Sequence, residues 1–300
     1  MKLRKIIRVT LFCLFAAVFC ISAYKLIEVR LAYRENEEIY SEAIDQFVVY
    51  LSATEPPVSV TTAATTSSTS AATTAEPDQS TATTTPPTAT SHEPTVETSA
   101  TEPTTEATIA EPIAVSPDFV LDWAGLKAVN PDIVAWIWQS GTTINYPVLK
   151  SDTNDEYLYT TYNFKYSKLG SIFLDWRSSL DAKNPVIYGH NAGNGMMFAT
   201  LVKYRGWEYF NQNRYFYIMT EDGTAKYEIF SAYKVKTFSD TYTFAFDDES
   251  YADYIQRILT RSAYKMGVSV SAEDEIITLS TCTNTGDEDR FVVHAKRIEG

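Results

Sequence analysis

Apolar residues near the start of the chain form one uninterrupted run. It extends from Val9 to Tyr24 without a charge, follows a segment with four cationic residues among the first eight, and ends at Lys25. As a helix, these sixteen residues span about 24 Å, slightly less than the roughly 30 Å hydrocarbon core of a bilayer. Neighbouring apolar residues lengthen the span when the flanking cations extend to the headgroups. The pattern predicts a cytoplasmic flank and transmembrane anchor in residues 1–28.

The cations around this run also predict its orientation. Lysine and arginine before a membrane helix favour a cytoplasmic N-terminus, which puts the remaining chain outside the cell. A cleaved signal peptide is the alternative, but Ser22-Ala23 is a poor small-residue cleavage site. We therefore expect a single-pass protein of the cell membrane with an extracellular domain.

Two segments of different character follow the predicted anchor. Residues 29–51 are charged but keep apolar residues at helical spacing, which predicts a helical stalk. Residues 52–116 are rich in Thr, Ala and Pro and contain almost no large apolar side chains. Such a segment buries too little surface to offset its ordering entropy, so we predict a disordered linker. Fully stretched, it would reach on the order of 200 Å.

The last segment, residues 117–300, alternates short apolar runs with turn signals. Helical spacing predicts a helix at 118–129 and a second at 249–267. Short runs rich in β-branched and aromatic residues predict eight strands, at 133–139, 144–150, 170–176, 185–191, 215–220, 225–235, 275–282 and 290–298. Many short strands with few helices indicate a mainly β domain, either a barrel or a sandwich.

The charge of residues 117–300 excludes one class of partner. Eighteen Lys and Arg residues stand against 24 Asp and Glu residues, a net charge of −6. A nucleic-acid-binding domain is typically basic, so we expect no nucleic acid as a partner. The sequence also contains no dense carboxylate cluster that would demand a metal ion.

Cys282 is the only cysteine after the membrane run. A single cysteine in an exported domain has no intrachain disulfide partner. Two interpretations stay open, a small buried hydrophobic residue or a nucleophile. The second requires a proton carrier and a group that stabilises an oxyanion.

The sequence offers candidates for both roles. His190 follows an apolar strand at the start of a Gly-rich turn, where functional groups are often presented, whereas His294 lies inside a strand and suits a structural role. Arg290 follows Cys282 after an apparent hairpin, which would return its guanidinium to the cysteine. A salt bridge to Asp287 or Asp289 is the alternative role of this arginine.

Together these features resemble the sortases of Gram-positive bacteria, and more closely their class B. The resemblance extends from about residue 119 to the end. Its most specific part is TLSTC at 278–282 with an arginine eight residues later and a His-Asn pair far upstream. Further matching segments are NPDIVAWI (130–137), INYPVLKSDTNDEYL (144–158), GSIFLDWR (170–177), VIYGHN (186–191) and MFATLVKY (197–204).

This resemblance implies an eight-stranded sortase-type β-barrel with peripheral helices, one at its start and one before the cysteine strand. It implies that Cys282 is the nucleophile, that His190 is the general acid and base, and that Arg290 holds the substrate and the oxyanion. Class B members generally lack the calcium site of class A, so we expect no metal and no cofactor.

Three further residues match class B positions near the substrate groove, which implies substrate contact: Asn154, Leu158 and Ser280.

The implied reaction is transpeptidation at the cell wall. The enzyme would cleave the C-terminal sorting signal of a surface protein after threonine and transfer the acyl group to an amine of a peptidoglycan precursor. Three alternatives stay open at this point. A pilin lysine would be the acceptor in a pilus polymerase, water would be the acceptor in a hydrolytic cysteine peptidase, and a non-catalytic surface module would need no reactive thiol.

Overall fold

The computed structural model describes residues 2–51, 115–283 and 288–299. The predicted linker therefore lies almost entirely outside the described residues. The helices are α1 (Lys2–Phe47), α2 (Trp123–Val129), α3 (Trp207–Gln212) and α4 (Asp248–Arg261), with 3-10 helices at Glu156–Leu158 and Ala199–Arg205. The strands are β1 (Val48–Tyr50), β2 (Phe119–Leu121), β3 (Ile133–Trp138), β4 (Asn145–Leu149), β5 (Ile172–Leu174), β6 (Val186–Tyr188), β7 (Tyr215–Thr220), β8 (Gly223–Lys236), β9 (Ile276–Cys282) and β10 (Asp289–Glu299).

Eight strands close into a barrel in the order β10-β8-β7-β3-β4-β5-β6-β9. The pairs β4–β5 and β6–β9 are parallel, and the other neighbours are antiparallel. Each predicted strand coincides with one barrel strand within a few residues. The mainly β prediction is therefore confirmed, and closure of the sheet decides for a barrel and against a sandwich.

Two helix predictions had wrong boundaries. Residues 119–121 form β2, and the helix begins only after Asp122, whose side chain caps it by accepting a hydrogen bond from the Gly125 amide at 2.9 Å. The cap ends the extended segment and starts the helix at one position. The predicted helix 249–267 ends at Arg261, because Ser262 turns the backbone to an extended conformation and binds the Tyr264 carbonyl at 2.8 Å.

The long helix α1 differs along its length. Its apolar N-terminal part is exposed, and it is the one helix in the described residues that is long and apolar enough to cross a membrane. That criterion concerns length and composition only, and a signal sequence would also meet it. Its C-terminal part, which the sequence analysis assigned to a stalk, packs against the barrel through buried residues such as Tyr40 and Phe47.

His294 of β10 lies in a buried polar network, opposite Thr278 of the cysteine strand β9. Its ring is fully buried, with Nδ1 2.8 Å from the Thr278 hydroxyl and Nε2 3.0 Å from the Tyr233 hydroxyl. The Thr278 hydroxyl donates to Asn184 at 2.6 Å, so it accepts from Nδ1–H, and Nε2 accepts from Tyr233. Burial lowers the pKa of His294 to about 3. The folded protein therefore holds this histidine neutral at physiological pH.

We predict that His294→Gln lowers the free energy of unfolding at neutral pH by about 1–3 kcal/mol, because buried hydrogen-bonding groups lose their partner. The unfolded chain protonates His294 below its ordinary pKa of 6.5, whereas the folded chain does so only near pH 3. The histidine contribution is therefore lost as pH falls between these values. Urea denaturation of both proteins at pH 7 and pH 5 should show a smaller difference at pH 5. An equal difference at both pH values would contradict the neutral, buried histidine.

Candidate active site

A cavity of about 500 Å³ opens at one end of the barrel, where β6 and β9 end and β10 begins. It contains all six residues that the sequence analysis proposed for catalysis or substrate contact. They are Asn154, Leu158, His190, Ser280, Cys282 and Arg290. Residues separated by more than one hundred positions in sequence therefore share one site.

Cys282 is the last residue of β9, a strand held between β6 and β10. The strand residues before it are buried, whereas Cys282 itself is partly exposed and lines the cavity. Its thiol is free. The position is that of a side chain presented to a ligand, and it does not fit the alternative of a small residue buried in the core.

Arg290 lies directly opposite Cys282 in the antiparallel pair of β9 and β10. Partners in such a pair have Cα atoms about 4.5–5.5 Å apart, so the hairpin does return the arginine to the cysteine. The Arg290 guanidinium donates to the Asp289 carbonyl at 3.1 Å. The Asp289 carboxylate contacts Lys234 at 2.6 Å and Lys236 at 2.7 Å. Asp287, the other acidic partner considered for Arg290, lies outside the described residues.

His190 reaches the cavity through the parallel pair of β6 and β9. Tyr188 is the register partner of Ser280, so His190 and Cys282 both follow two residues beyond the same pair. Two hydrogen bonds extend this register past the strand end, because Gly189 donates its amide to the Ser280 carbonyl at 3.1 Å and accepts from the Thr281 hydroxyl at 2.7 Å. The imidazole therefore lines the same cavity as the thiol.

Gly189 is required for this close approach. A Cβ atom at this position would collide with Ile172 and would lie 2.9 Å from the Phe198 ring, closer than real contacts allow. A residue with a side chain at this position would therefore require Ile172 and Phe198, or the loop itself, to shift.

The His190 imidazole has a defined tautomer. Its Nε2 lies 2.8 Å from the Leu158 carbonyl, and a carbonyl oxygen only accepts, so Nε2 carries the proton and Nδ1 the lone pair. Burial lowers the pKa of His190, and the positive charge of Arg290 lowers it further, against the opposing effect of the Leu158 hydrogen bond. The net pKa lies below the usual value of 6.5, so the imidazole is mainly neutral at pH 7.

The three proposed substrate contacts line the cavity in different ways. Asn154 donates to the Asp175 carboxylate at 3.0 Å and accepts from the Trp176 amide at 3.0 Å, so its amide is held in one orientation. Ser280 is fully buried, and its hydroxyl lies 2.9 Å from that of Tyr242. Leu158 contributes both an apolar side chain and the carbonyl that binds His190.

An acidic residue that was not predicted from the sequence organises one wall of the cavity. Asp175 is fully buried and accepts two hydrogen bonds from the Arg177 guanidinium, at 2.9 and 2.8 Å, besides bonds from Asn154 and from Tyr188 at 3.0 Å. Burial raises the pKa of Asp175, but these bonds outweigh it and the net pKa is lowered. An aspartate directly after an apolar strand and two residues before an arginine was the available signal.

A second missed group comes from the loop between β8 and α4. Phe238, which is 93% exposed, and Tyr242 line the cavity. Phe244 of the same loop lies under the Arg177 guanidinium, 4.2 Å from the ring centroid. The loop carries no recognisable motif, so only its position in space reveals its part in the site.

Comparisons with known proteins point to one family. A family model described as the sortase domain matches residues 140–298. Sortase B of Staphylococcus aureus is 36% identical over 180 residues, which are 58% of this chain and 73% of that protein. Sortase B of Listeria monocytogenes is 38% identical over 181 residues, which are 58% of this chain and 72% of that protein.

Solved structures give the same result. The structure of a Staphylococcus aureus sortase B-substrate complex has 34% sequence identity and a TM-score of 0.56, with 59% of this chain and 84% of that chain covered. Clostridium perfringens sortase B has 35% identity and a TM-score of 0.56, with 59% of this chain and 99% of that chain covered. With more than half of the sequence matched by the family model and the barrel shared with sortase B structures, the chain belongs to the sortase family, in its class B, and is a cysteine transpeptidase.

Proposed function

We propose that this sortase is a membrane-anchored enzyme that cleaves the sorting signal of surface proteins after threonine and transfers them to an amine of a peptidoglycan precursor. The observation that carries the proposal is that Cys282, His190 and Arg290 meet at one cavity, at the ends of adjacent barrel strands. A thiol, a proton carrier and a fixed cation are what acyl transfer through a thioester needs.

In the first half of the reaction, the Cys282 sulfur attacks the carbonyl carbon after threonine. The lowered pKa of His190 favours a neutral pair, in which the imidazole takes the thiol proton as the sulfur attacks. We assign this proton to Nδ1, because Nε2 is bound to the Leu158 carbonyl. The C–N bond then breaks, His190 gives the proton to the leaving amine, and a thioester on Cys282 remains.

In the second half, the incoming amine attacks the thioester carbonyl. His190 removes a proton from the attacking nitrogen, the C–S bond breaks, and the proton returns to the Cys282 sulfur. Both halves pass through a tetrahedral oxyanion. Arg290 is the proposed stabilising cation, since a guanidinium stays charged and offers several donors in a fixed geometry.

The walls of the cavity suit a peptide in extended conformation. Leu158, Tyr242 and Phe238 supply apolar and aromatic surface. We propose that Asn154 contacts the substrate with its oriented amide, and that Ser280 acts through its hydrogen bond to Tyr242. Because α1 is long and apolar enough to span a membrane, it is the proposed single-pass anchor, with its N-terminus in the cytoplasm and the barrel outside.

Cleavage of a peptide library by the full chain in detergent, with and without an added amine, tests this function. A transpeptidase should give amine-linked products at the expense of free acid, with cleavage after threonine. Free acid alone, at every amine concentration, would indicate a hydrolytic peptidase. Products with oligoglycine-type amines and with lysine-bearing peptides, compared at equal concentration, separate wall attachment from pilus assembly.

We predict that His190→Ala reduces turnover by about 10²–10⁴-fold, because the leaving amine then lacks a proton donor. Arg290→Lys should also be severely impaired, since one ammonium does not reproduce the guanidinium fork. Cys282→Ala should be inactive. Transpeptidation of a sorting peptide by each variant, with melting curves, measures this.

His294→Gln is the matched control, a histidine on the adjacent strand outside the cavity. It should keep most of the activity. A folded but inactive His294→Gln beside an active His190→Ala would refute the assignment of the general acid and base.

The electrostatics of the site lead to a further prediction. Arg290→Gln should raise the pKa of His190, because the arginine charge disfavours the imidazolium. NMR titration of the imidazole in the Cys282→Ala background measures the shift. Arg177→Gln removes another cation of the same cavity and should leave the titration unchanged. Equal shifts in both variants would contradict a specific influence of Arg290.

A further inference from the structure

The two strands that flank residues 52–116 are paired with each other. β1 and β2 are antiparallel, with Tyr50 opposite Phe119 and Val48 opposite Leu121. The Leu51 amide donates to the Asp118 carbonyl at 2.7 Å, next to the point where the described residues stop. Paired residues of antiparallel strands are about 5 Å apart. The segment therefore leaves the domain and returns to it at nearly the same place.

The part of α1 that precedes β1 is docked on the barrel. One face of the helix, the docking face, is buried and consists of Asn36, Ile39, Tyr40, Ala43 and Phe47. Its four apolar members belong to the main core. The spacing of these residues is that of a single helical stripe. The opposite face, which includes Glu38, is exposed. A free stalk would leave both faces exposed.

Specific polar contacts fix the position of the helix along the barrel. The Tyr40 hydroxyl donates to the Gly170 carbonyl at 2.8 Å, and the Asn36 side chain accepts from the Ser167 hydroxyl at 2.7 Å. Nearer the apolar run, Glu28 contacts Lys168 at 2.8 Å. Contacts at three levels of one helix prevent it from sliding or rotating on the barrel.

From these contacts we infer that the barrel is docked directly on its own membrane helix, so that α1, and not the length of residues 52–116, sets the distance between the membrane and the active site. The inference rests on the proposed role of α1 as the anchor. The composition alone had indicated a different arrangement, in which residues 52–116 are a flexible linker between the membrane anchor and the barrel. A long insertion at this point costs little, since the entropy of closing a loop grows only with the logarithm of its length.

The docking also sets the distance between the active site and the membrane surface. Gly193, three residues after His190, lies beside α1, where an added Cβ would be 3.0 Å from the Tyr33 hydroxyl. Tyr33 is eight residues beyond Lys25, which closes the apolar run, and this corresponds to about 12 Å along the helix axis. The site is therefore held close to the membrane surface, so the reacting groups of both substrates must be presented there.

Cutting the chain within residues 52–116 tests the docking of the barrel on α1. A site for a sequence-specific protease is inserted between Thr84 and Thr85 of the full chain, which is reconstituted in vesicles with the barrel outside. After complete cleavage, the barrel should stay with the sedimented vesicles, because β1 and the helix face still hold it. Release of the barrel from the unaltered docking face would overturn the inference.

Matched variants test whether the docking face of α1 is what keeps the cut barrel on the vesicles. Glu38→Ala, on the exposed face, should leave the cut barrel bound, whereas Tyr40→Ala combined with Phe47→Ala should release it. A disulfide offers a check that does not depend on these variants. With the native cysteines replaced by serine, Asn36→Cys and Ser167→Cys should join the two cut pieces on a non-reducing gel. Glu38→Cys with Ser167→Cys should not, and equal linkage in both pairs would contradict the docked geometry.

Retention on vesicles needs no catalysis, so failure of this test leaves the proposed reaction untouched. A second experiment removes residues 52–117 and measures the effect on catalysis. Replacing residues 52–117 by Asn-Gly closes β1 and β2 as a two-residue hairpin. Transfer of a membrane-anchored sorting substrate should then proceed within about twofold of the unaltered rate, because deletions in connecting segments are tolerated and the contacts between α1 and the barrel are kept. A tenfold loss with the fold intact would show that the length of this segment does set the distance.

Discussion

The register of β9 between β6 and β10 is the constraint on which the site depends. On one side, the antiparallel hairpin puts Arg290 opposite Cys282. On the other side, the parallel pairing of Tyr188 with Ser280 carries His190 to the same level. A slip of one residue on either side would turn a functional side chain from the cavity to the opposite face of the sheet. Three groups from distant parts of the chain are thus positioned by backbone hydrogen bonds.

Buried polar networks hold this register from both sides. The carboxylate of Asp175 gathers Arg177, Asn154 and Tyr188 at one wall of the cavity. Below the cysteine strand, His294 joins β9 to β8 through Thr278 and Tyr233. Such networks are costly when one member is missing and rigid when all are satisfied. They explain how a partly exposed cysteine at the end of a strand is kept in one position.

The histidines show how the environment separates two identical side chains. His294 is fully enclosed and bonded at both nitrogens, so it stays neutral over the physiological pH range. His190 is only half-buried, and its pKa is lowered by this burial and by the charge of Arg290. The first arrangement suits a structural residue. The second leaves a nitrogen that can exchange protons, as the proposed mechanism requires.

The sequence by itself determined much of this protein. A continuous run without charges revealed the N-terminal helix, and short runs rich in β-branched and aromatic residues between turn signals revealed all eight barrel strands. The resemblance to the sortases, carried by TLSTC with Arg290 eight residues later and His190 far upstream, singled out three residues that the fold brings to one cavity.

Only the tertiary structure decided the features that depend on contacts between distant segments. The loop that carries Phe238 and Tyr242 has no local signal, and the convergence of three residues on the Asp175 carboxylate exists only in the folded barrel. The pairing of β1 with β2 makes residues 119–121 a strand, where the sequence predicted the start of a helix. The same pairing brings the residues on either side of the segment 52–116 close together, whereas composition alone suggested that they were far apart. Composition reports whether a segment can bury its own surface, but it carries no information on where the ends of that segment are held.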